Sequence, residues 1–463
     1  MASTSHRSRT LSKWGLVLCC SFFLLLLTPN QIQAQLTSQF TLSAGEMYNN
    51  NIFLDSSKEW DFITLIRPAF SLQYRFPSQL SPTLTLNIAP IGQIYARHSD
   101  QNTFGFGQGG GGSMAYTYPY SPRLTFNFSD VLSAQGDTRV LFQGPGGVGQ
   151  LLPGGTPSPG VPIPPSGYQQ GSNAFSVGQT INNSFWAYGQ YLYSPAITIT
   201  GGYQNYYTSF VSAGGFEVNN EFGIRGSYAW GQNHNPHAGV RVSIFKDRTG
   251  DSNVVYDFDI GDSYFSSQQI QLTPTLTLSL STGLSINAGK RGPGIGNNSY
   301  AQLIKLWERA QLSAGVQSSL TPTYGFGRIS QTTTVSGNFY ILLSERLTGS
   351  AYLNYALFSG SGSPRTFVAG AALQYLVTPW LTSSLRYGHL ITNCCDTQGN
   401  QKKFTTGPRV HSDSVLLGFS AYFDVWPRFG LGTVLPQPSL FPGVPPQVGQ
   451  PSPAYQPAPI PGP

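Results

Sequence analysis

The chain has 463 residues, and only 10% of them are charged against 13% aromatic, with 25 Tyr and 29 Phe. An ordinary globular surface carries about 25% charged residues, so this composition excludes a conventional water-exposed enzyme surface and points to an apolar surround. The formal charge of +6 drops to about +3 once Arg7, Arg9 and Lys13 are set aside with the leader described next, too little to argue for nucleic-acid binding.

Residues 1–34 read as a secretory leader: the basic residues come first, an apolar core from Trp14 to Leu27 follows, and the small residue Ala34 marks the expected cleavage site. Beyond it no apolar run approaches the roughly 20 residues of a spanning helix. If the chain meets a membrane, it does so with strands.

The first such strand signal follows an Asn-rich run, in NNNIFLDSSKEWDFITLIRPAFSLQYRF. Phe62, Ile66, Phe70, Leu72, Tyr74 and Phe76 share one parity, while Arg67, Ser71, Gln73 and Arg75 share the other. That is period two, a strand with one apolar and one polar face. The same alternation recurs in Leu124, Phe126 and Phe128, in TLTLSLSTGLSINA from Thr275, and in Ala351, Leu353, Tyr355 and Leu357. These runs are longer than the usual 5 or 6 residues of a soluble strand, and length with alternation favours a membrane-spanning barrel.

Between the runs the turn chemistry repeats. Ser-Pro or Thr-Pro stands at Pro82, Pro122, Pro195, Pro274 and Pro379, where Pro fixes φ for a tight turn; WERA at Trp307 and SERL at Ser344 continue the series, and Pro236 falls at a similar step. The opposite hairpin ends are richer in Gly, Asn and Ser, as in Asn49 to Lys58, Asp100 to Ser113 and Thr392 to Pro408. Residues 133–172 form the largest, a Gly/Pro-rich segment expected as an outside loop or partial plug.

The expected fold is therefore all-β: a transmembrane, antiparallel, up-and-down barrel of 16 to 18 strands over residues 35–423, with short periplasmic turns and long extracellular loops. The last run, SDSVLLGFSAYF, resembles the terminal strand by which barrel-insertion machinery recognises outer-membrane proteins. Residues 424–463 are mostly Pro, Gly, Gln and Ser, and are expected as an extended periplasmic tail.

NNNIFLDSSKEWDFITLIRPAFSLQYRF and YPYSPRLTFNFSD resemble the first hairpins of a family of outer-membrane β-barrel porins associated with exopolysaccharide export and exosortase-type sorting. The likeness is best over Tyr48 to Asp130, and it departs where Lys58, Glu59 and Trp60 replace small polar residues before Asp61. It implies the outer membrane of a diderm bacterium, contact with membrane lipid, and exopolysaccharide or its export components as partners. It carries no catalytic residues.

Of six His, His98 stands near Asp100 and His411 near Asp413, with neither a nucleophile elbow nor metal-ligand spacing. No enzyme, cofactor or metal is expected. Of the four Cys, Cys394 and Cys395 follow the leader, either as a vicinal disulfide or as separate thiols. Arg67, Gln73, Arg75, Arg225, Arg241 and Arg386 fall on the polar parity and are expected to face the lumen. They make it cationic and attractive to anions, unless they are paired across strands with acids such as Glu221 and Asp257. A pore for hydrophilic solutes or exopolysaccharide is the leading expectation, and a non-conducting scaffold for surface-polysaccharide assembly its alternative.

Overall fold

The computed structural model describes residues 35–52, 58–76, 82–105, 111–135, 180–210, 214–230, 234–265, 276–289, 294–323, 328–359, 365–392 and 410–424. The leader, Cys394 and Cys395, nearly all of 133–172, the turn before Pro274 and the Pro-rich tail lie outside these residues.

The strands run up and down in chain order. They are β1 Gln35–Asn49, β2 Asp61–Arg75, β3 Thr83–Ala89 with Ile91–Tyr95, β4 Thr103–Gly105 with Gly111–Ser121, β5 Leu124–Gln135 and β6 Thr180–Leu192. Next come β7 Ile197–Phe210, β8 Phe216–Tyr228, β9 His234–Lys246, β10 Ser252–Phe265, β11 Leu276–Asn287 and β12 Ile295–Asn297 with Ser299–Leu306. The series ends with β13 Ala310–Thr323, β14 Arg328–Leu342, β15 Leu347–Phe358, β16 Arg365–Thr378, β17 Leu381–Thr392 and β18 Val410–Asp424. Each pairs antiparallel with its successor, and β1 pairs with β18 from Gln39↔Asp424 to Asn49↔Ser414. The 18-strand sheet is thereby closed, and no edge is left to recruit another chain.

Polarity is inverted relative to a soluble barrel. Phe62, Ile260 and Leu417 are 44%, 64% and 50% exposed, whereas Ser43, Asp257 and Ser285 are at most 3% exposed. The apolar parity points outward to lipid and the polar parity inward, as a chain with no water outside requires. The outer face of β2 follows the sequence reading at Phe62 and Ile66 but not at Leu72, which is buried. Outward aromatic residues gather at both ends of the wall. Tyr48, Trp60 and Phe62 form one cluster, and Phe40 with Phe423, Tyr191 with Tyr193, and the exposed Trp307 and Trp380 lie at the other. Such belts sit where rings with one apolar and one wet end are favoured.

One rim carries the tight turns. In the turns at Ser121, Ser194 and Ser344, the Ser Oγ accepts the N–H groups two and three residues on, at 3.3 and 3.1 Å each time. This local bond explains why Ser precedes Pro122 and Pro195, and why SERL serves the same turn without Pro. Pro236 is not part of this series: it lies inside β9, opposite Asp262. The start of β1 and the end of β18 share this short-turn rim. At the opposite loop rim, Thr103–Gly105 and Gly111–Ser113 are strand rather than loop.

Candidate functional site: the lumen

The inner wall divides into three regions. The first spans β8, β9 and β10, where inward positions bring opposite charges into rows. Arg225, Gly239 and Asp259 are register neighbours, and the Arg225 guanidinium crosses above Gly239 to donate to the Asp259 carboxylate at 2.6 Å. A Cβ at position 239 would lie 2.6 Å from Asp259 Oδ1 and 3.3 Å from Arg225 Nε, so only glycine leaves this path clear. One row on, Arg241 donates to Asp257 through Nε and Nη2 at 2.8 and 2.6 Å, and Nη1 lies 3.5 Å from Glu221. Ser285 donates its hydroxyl to the same Asp257. These pairs lie partly buried against the wall, where the dielectric is lower than in water and pairing counts for more. The charge of Arg225 is met by Asp259, and that of Arg241 by Asp257 and Glu221. For these two residues the cross-strand pairing holds.

The second region lies half-way round the barrel, where β1 and β18 meet. Arg67 on β2 and Arg386 on β17 both point inward from this seam, and Arg386 lies within electrostatic reach of Arg67, Tyr352 and Tyr422. On the intervening wall Ser43 and Ser420 hydrogen-bond across the seam at 2.7 Å. Gln73 is half-buried six residues nearer the short-turn rim, and Arg75 is exposed at that rim, opposite Gln35 and Thr83.

The third region is the loop-rim end of the lumen, where two apolar clusters stand among buried polar side chains. On the seam side Ile52, from the loop after β1, is 1% exposed and packs on the inward residues Ile63, Leu65, Ile91, Tyr95 and Leu416. Asn49, Asn50 and Asn51 hold this loop in place. Asn50 and Asp413 exchange a backbone and two side-chain bonds, Asn51 Nδ2 donates to His411 O at 3.0 Å, and Ser412 donates to Asn49 Oδ1 at 2.9 Å. The described part of the Asn-rich run is therefore a clasp that folds the chain into the barrel mouth, not a loop directed away from it.

On the opposite side the β13–β14 hairpin leans inward. Leu320 and Ile329 have the parity of the outward Val316 and Val335, yet they cluster with Tyr206, Phe245 and Val255 on the inner faces of β7, β9 and β10. Leu320 reaches over β12, where a Cβ on Gly296 would lie 2.5 Å from its Cγ. Alternation along a strand fixes parity, not whether the hairpin tip stays in the wall, so periodicity could not have found this insert.

Two further histidine contacts differ from their sequence neighbours. His98 pairs with Asp61 through Nδ1 at 2.7 Å and with Glu59 through Nε2 at 2.8 Å, while Asp100 accepts from Gln101. Asp61 also accepts the N–H groups of Arg97 and His98, and Arg97 lies 4.2 Å above the Trp60 ring. The Asp61 bond, with Glu59 beside it, raises the His98 pKa above its ordinary value. Asp413 pairs with His389, not with its neighbour His411, and also accepts from Tyr387. Both arrangements are latches between loop-rim segments. Among the described residues no group of three His, Cys, Asp or Glu has metal-holding geometry.

No family model matches the chain, and no curated protein matches it either. Among solved structures it is similar to a BenF-like porin from Pseudomonas fluorescens Pf-5, at 10% identity and a TM-score of 0.45, over 84% of this chain and 99% of that one. It is similar to Pseudomonas aeruginosa OccK2 (OpdF) at 10% identity and a TM-score of 0.45, over 84% and 98%. An anion-selective porin from Comamonas acidovorans is similar at 12% identity and a TM-score of 0.37, over 84% and 100%.

Proposed function

We propose that the protein is a porin-like channel of the bacterial outer membrane, passing hydrophilic solutes. The observation that carries this reading is the inverted polarity of a closed 18-strand barrel: Asp257, Ser285 and Ser43 are turned inward while Phe62, Ile260 and Leu417 are turned out. A barrel of this size leaves an aqueous channel where eight strands would be filled by side chains. Exopolysaccharide as cargo comes from the family resemblance. The hydroxyl and phenol groups of the lumen, Ser43, Ser420, Tyr352 and Tyr422 among them, are chemically suited to a carbohydrate path.

The two apolar inserts at the loop rim favour a second reading, a barrel closed at rest that scaffolds a surface assembly. Conductance decides between them. The purified full chain in a planar bilayer is expected to give discrete ohmic steps in KCl. A silent wild type that stays silent after Ile52→Gly, Leu320→Gly and Ile329→Gly are combined would leave the scaffold reading in place.

A further inference from the structure

We infer that a recess on the outer wall over β10–β13 holds one acyl lipid, whose ester or amide carbonyl accepts a hydrogen bond from Asn297. The inference goes beyond the channel reading and rests only on the apolar parity facing lipid. Outward positions on these strands carry hydroxyl and amide groups inside the apolar belt. Thr282 is the one break in the apolar parity of TLTLSLSTGLSINA, with Leu280 and Leu284 on either side of it. Its hydroxyl lies 3.1 Å from that of Ser299 on β12, and Ser299 stands opposite Ser318 on β13. The exposed Leu284, Ile286 and Ile295 lie on the loop-rim side of this row, and the exposed Leu280 and Val316 on the short-turn side.

The departing β13–β14 hairpin explains the polar groups. β12 and β13 pair from Ser299↔Ser318 to Leu306↔Gln311, and beyond Ser318 the hairpin turns into the lumen. Among the described residues, Ile295–Asn297 pairs with β11 alone. The Gln331 side chain takes the place of the missing ladder: Asn297 N donates to its Oε1 at 3.1 Å, and its Nε2 donates to Asn297 O at 2.9 Å. Gly296 leaves room for this, since a Cβ there would meet Gln331 Oε1. The same Nε2 donates to Ser318 Oγ at 2.7 Å, Ser318 Oγ lies 2.9 Å from Thr333 Oγ1, and Ser299 donates to Asn297 Oδ1 at 2.6 Å.

This network leaves one donor group over. Among the described residues, Asn297 uses its backbone groups and Oδ1, while its Nδ2 has no partner and the residue is exposed. An amide donor turned toward hydrocarbon carries a desolvation penalty that only an acceptor relieves. The recess beside it has a volume of about 500 Å³, and its polar residues Thr282, Ser299 and Ser318 lie on the loop-rim side of Leu280, Ala301 and Val316. That is the polarity of a lipid in the leaflet on the loop-rim side, with its head toward that rim and its chain toward the midplane. The carbonyl of an ester or amide linkage is the acceptor such a lipid carries next to its chain. Ile260 on β10 and Val316 on β13, 64% and 42% exposed, flank the smaller Thr282, Ser299 and Ala301. A recess bounded in this way admits a single chain rather than the broad wall of a second barrel. At its short-turn end Asp262 is held by His234 at 2.6 Å.

The test is native mass spectrometry of the detergent-purified full chain, titrated with a diester phosphatidylethanolamine and with its diether analogue, which has the same headgroup and chains but no carbonyl. Heat-modifiable gel migration checks that each variant is folded. Wild type is expected to hold one diester molecule about fivefold more tightly than the diether. Asn297→Leu should remove that preference by weakening the diester to the level of the diether, and Ala301→Phe, which fills the recess, should weaken both. Equal binding of the two lipids by wild type overturns the proposal, as does a folded Asn297→Leu variant that keeps the preference. Dimers that persist and exclude both lipids assign the recess to a second copy and overturn it too. If Asn297→Leu does not fold, the diester and diether comparison in wild type and in Ala301→Phe decides in the same way. A wild type that prefers the diester but never conducts would remove the channel reading and leave the lipid site standing.

Discussion

Gly239 shows how much of the lumen chemistry depends on a missing side chain. The Arg225–Asp259 bond at 2.6 Å crosses the space that a Cβ there would fill. Gly239→Val should break the pair between two partly buried charges, read as a lower urea midpoint in micelles. Arg225→Gln with Asp259→Asn should cost less than Gly239→Val, because neither group then remains charged and unpaired. His98 makes a second residue-scale prediction. Its pKa is raised by Asp61 and Glu59, so its protonated form is favoured in the folded state. The stability it contributes is fully present below the unfolded value of about 6.5 and is lost as pH rises through the higher folded value. The Tm difference between wild type and His98→Gln should therefore be greatest in mild acid and shrink in alkali; a pH-independent difference would contradict the latch. The sequence placed His98 beside Asp100, two residues away, but its partner Asp61 lies 37 residues back and is reached only because β2 and β3 are paired. Local spacing carries no information about such a contact.

At the scale of elements, strands and turns were legible and inserts were not. Period-two alternation gave the wall because each side chain must choose lipid or lumen, and the Ser-containing turns were readable because their hydrogen bonds span only two or three residues. The β13–β14 hairpin breaks this logic: Leu320 and Ile329 keep their outward parity while the tip that carries them bends into the barrel. Leu320→Ala with Ile329→Ala should cost about 2–5 kcal/mol per site through cavity formation. It should also raise single-channel conductance, since the same residues narrow the mouth. A conductance that does not change would place the narrowest point elsewhere. Across the lumen, Asn50→Ala removes two side-chain bonds to Asp413 and should cost about 1–3 kcal/mol. The measurable consequence is faster proteolysis of the loop after β1, without loss of the barrel on heat-modifiable gels.

For the whole molecule, the sequence pattern led to the closed barrel and its even strand number, and it set Arg67, Arg225, Arg241 and Arg386 on the polar parity of their strands. It could not apportion their charge. Asp257 and Glu221 meet Arg241, whereas Asp259, which the pattern did not single out, meets Arg225. On β8–β10 the lumen wall thus carries its charge as matched pairs across neighbouring strands, each Arg held by an acid two or fewer strands away.

The seam also sets an order of events in time. Ser43 and Ser420 are 377 positions apart, and Asn50 and Asp413 are 363 apart, so these bonds can form only after β18 exists. Until then β1 presents an unpaired ladder, and each step of assembly is a long-range pairing of the slow kind. In pulse-labelling hydrogen exchange during refolding, the amides of Asn50 and Asp413 should gain protection after those of the β13–β14 hairpin. The clasp that shapes the mouth of the barrel would then also record that the chain has finished folding.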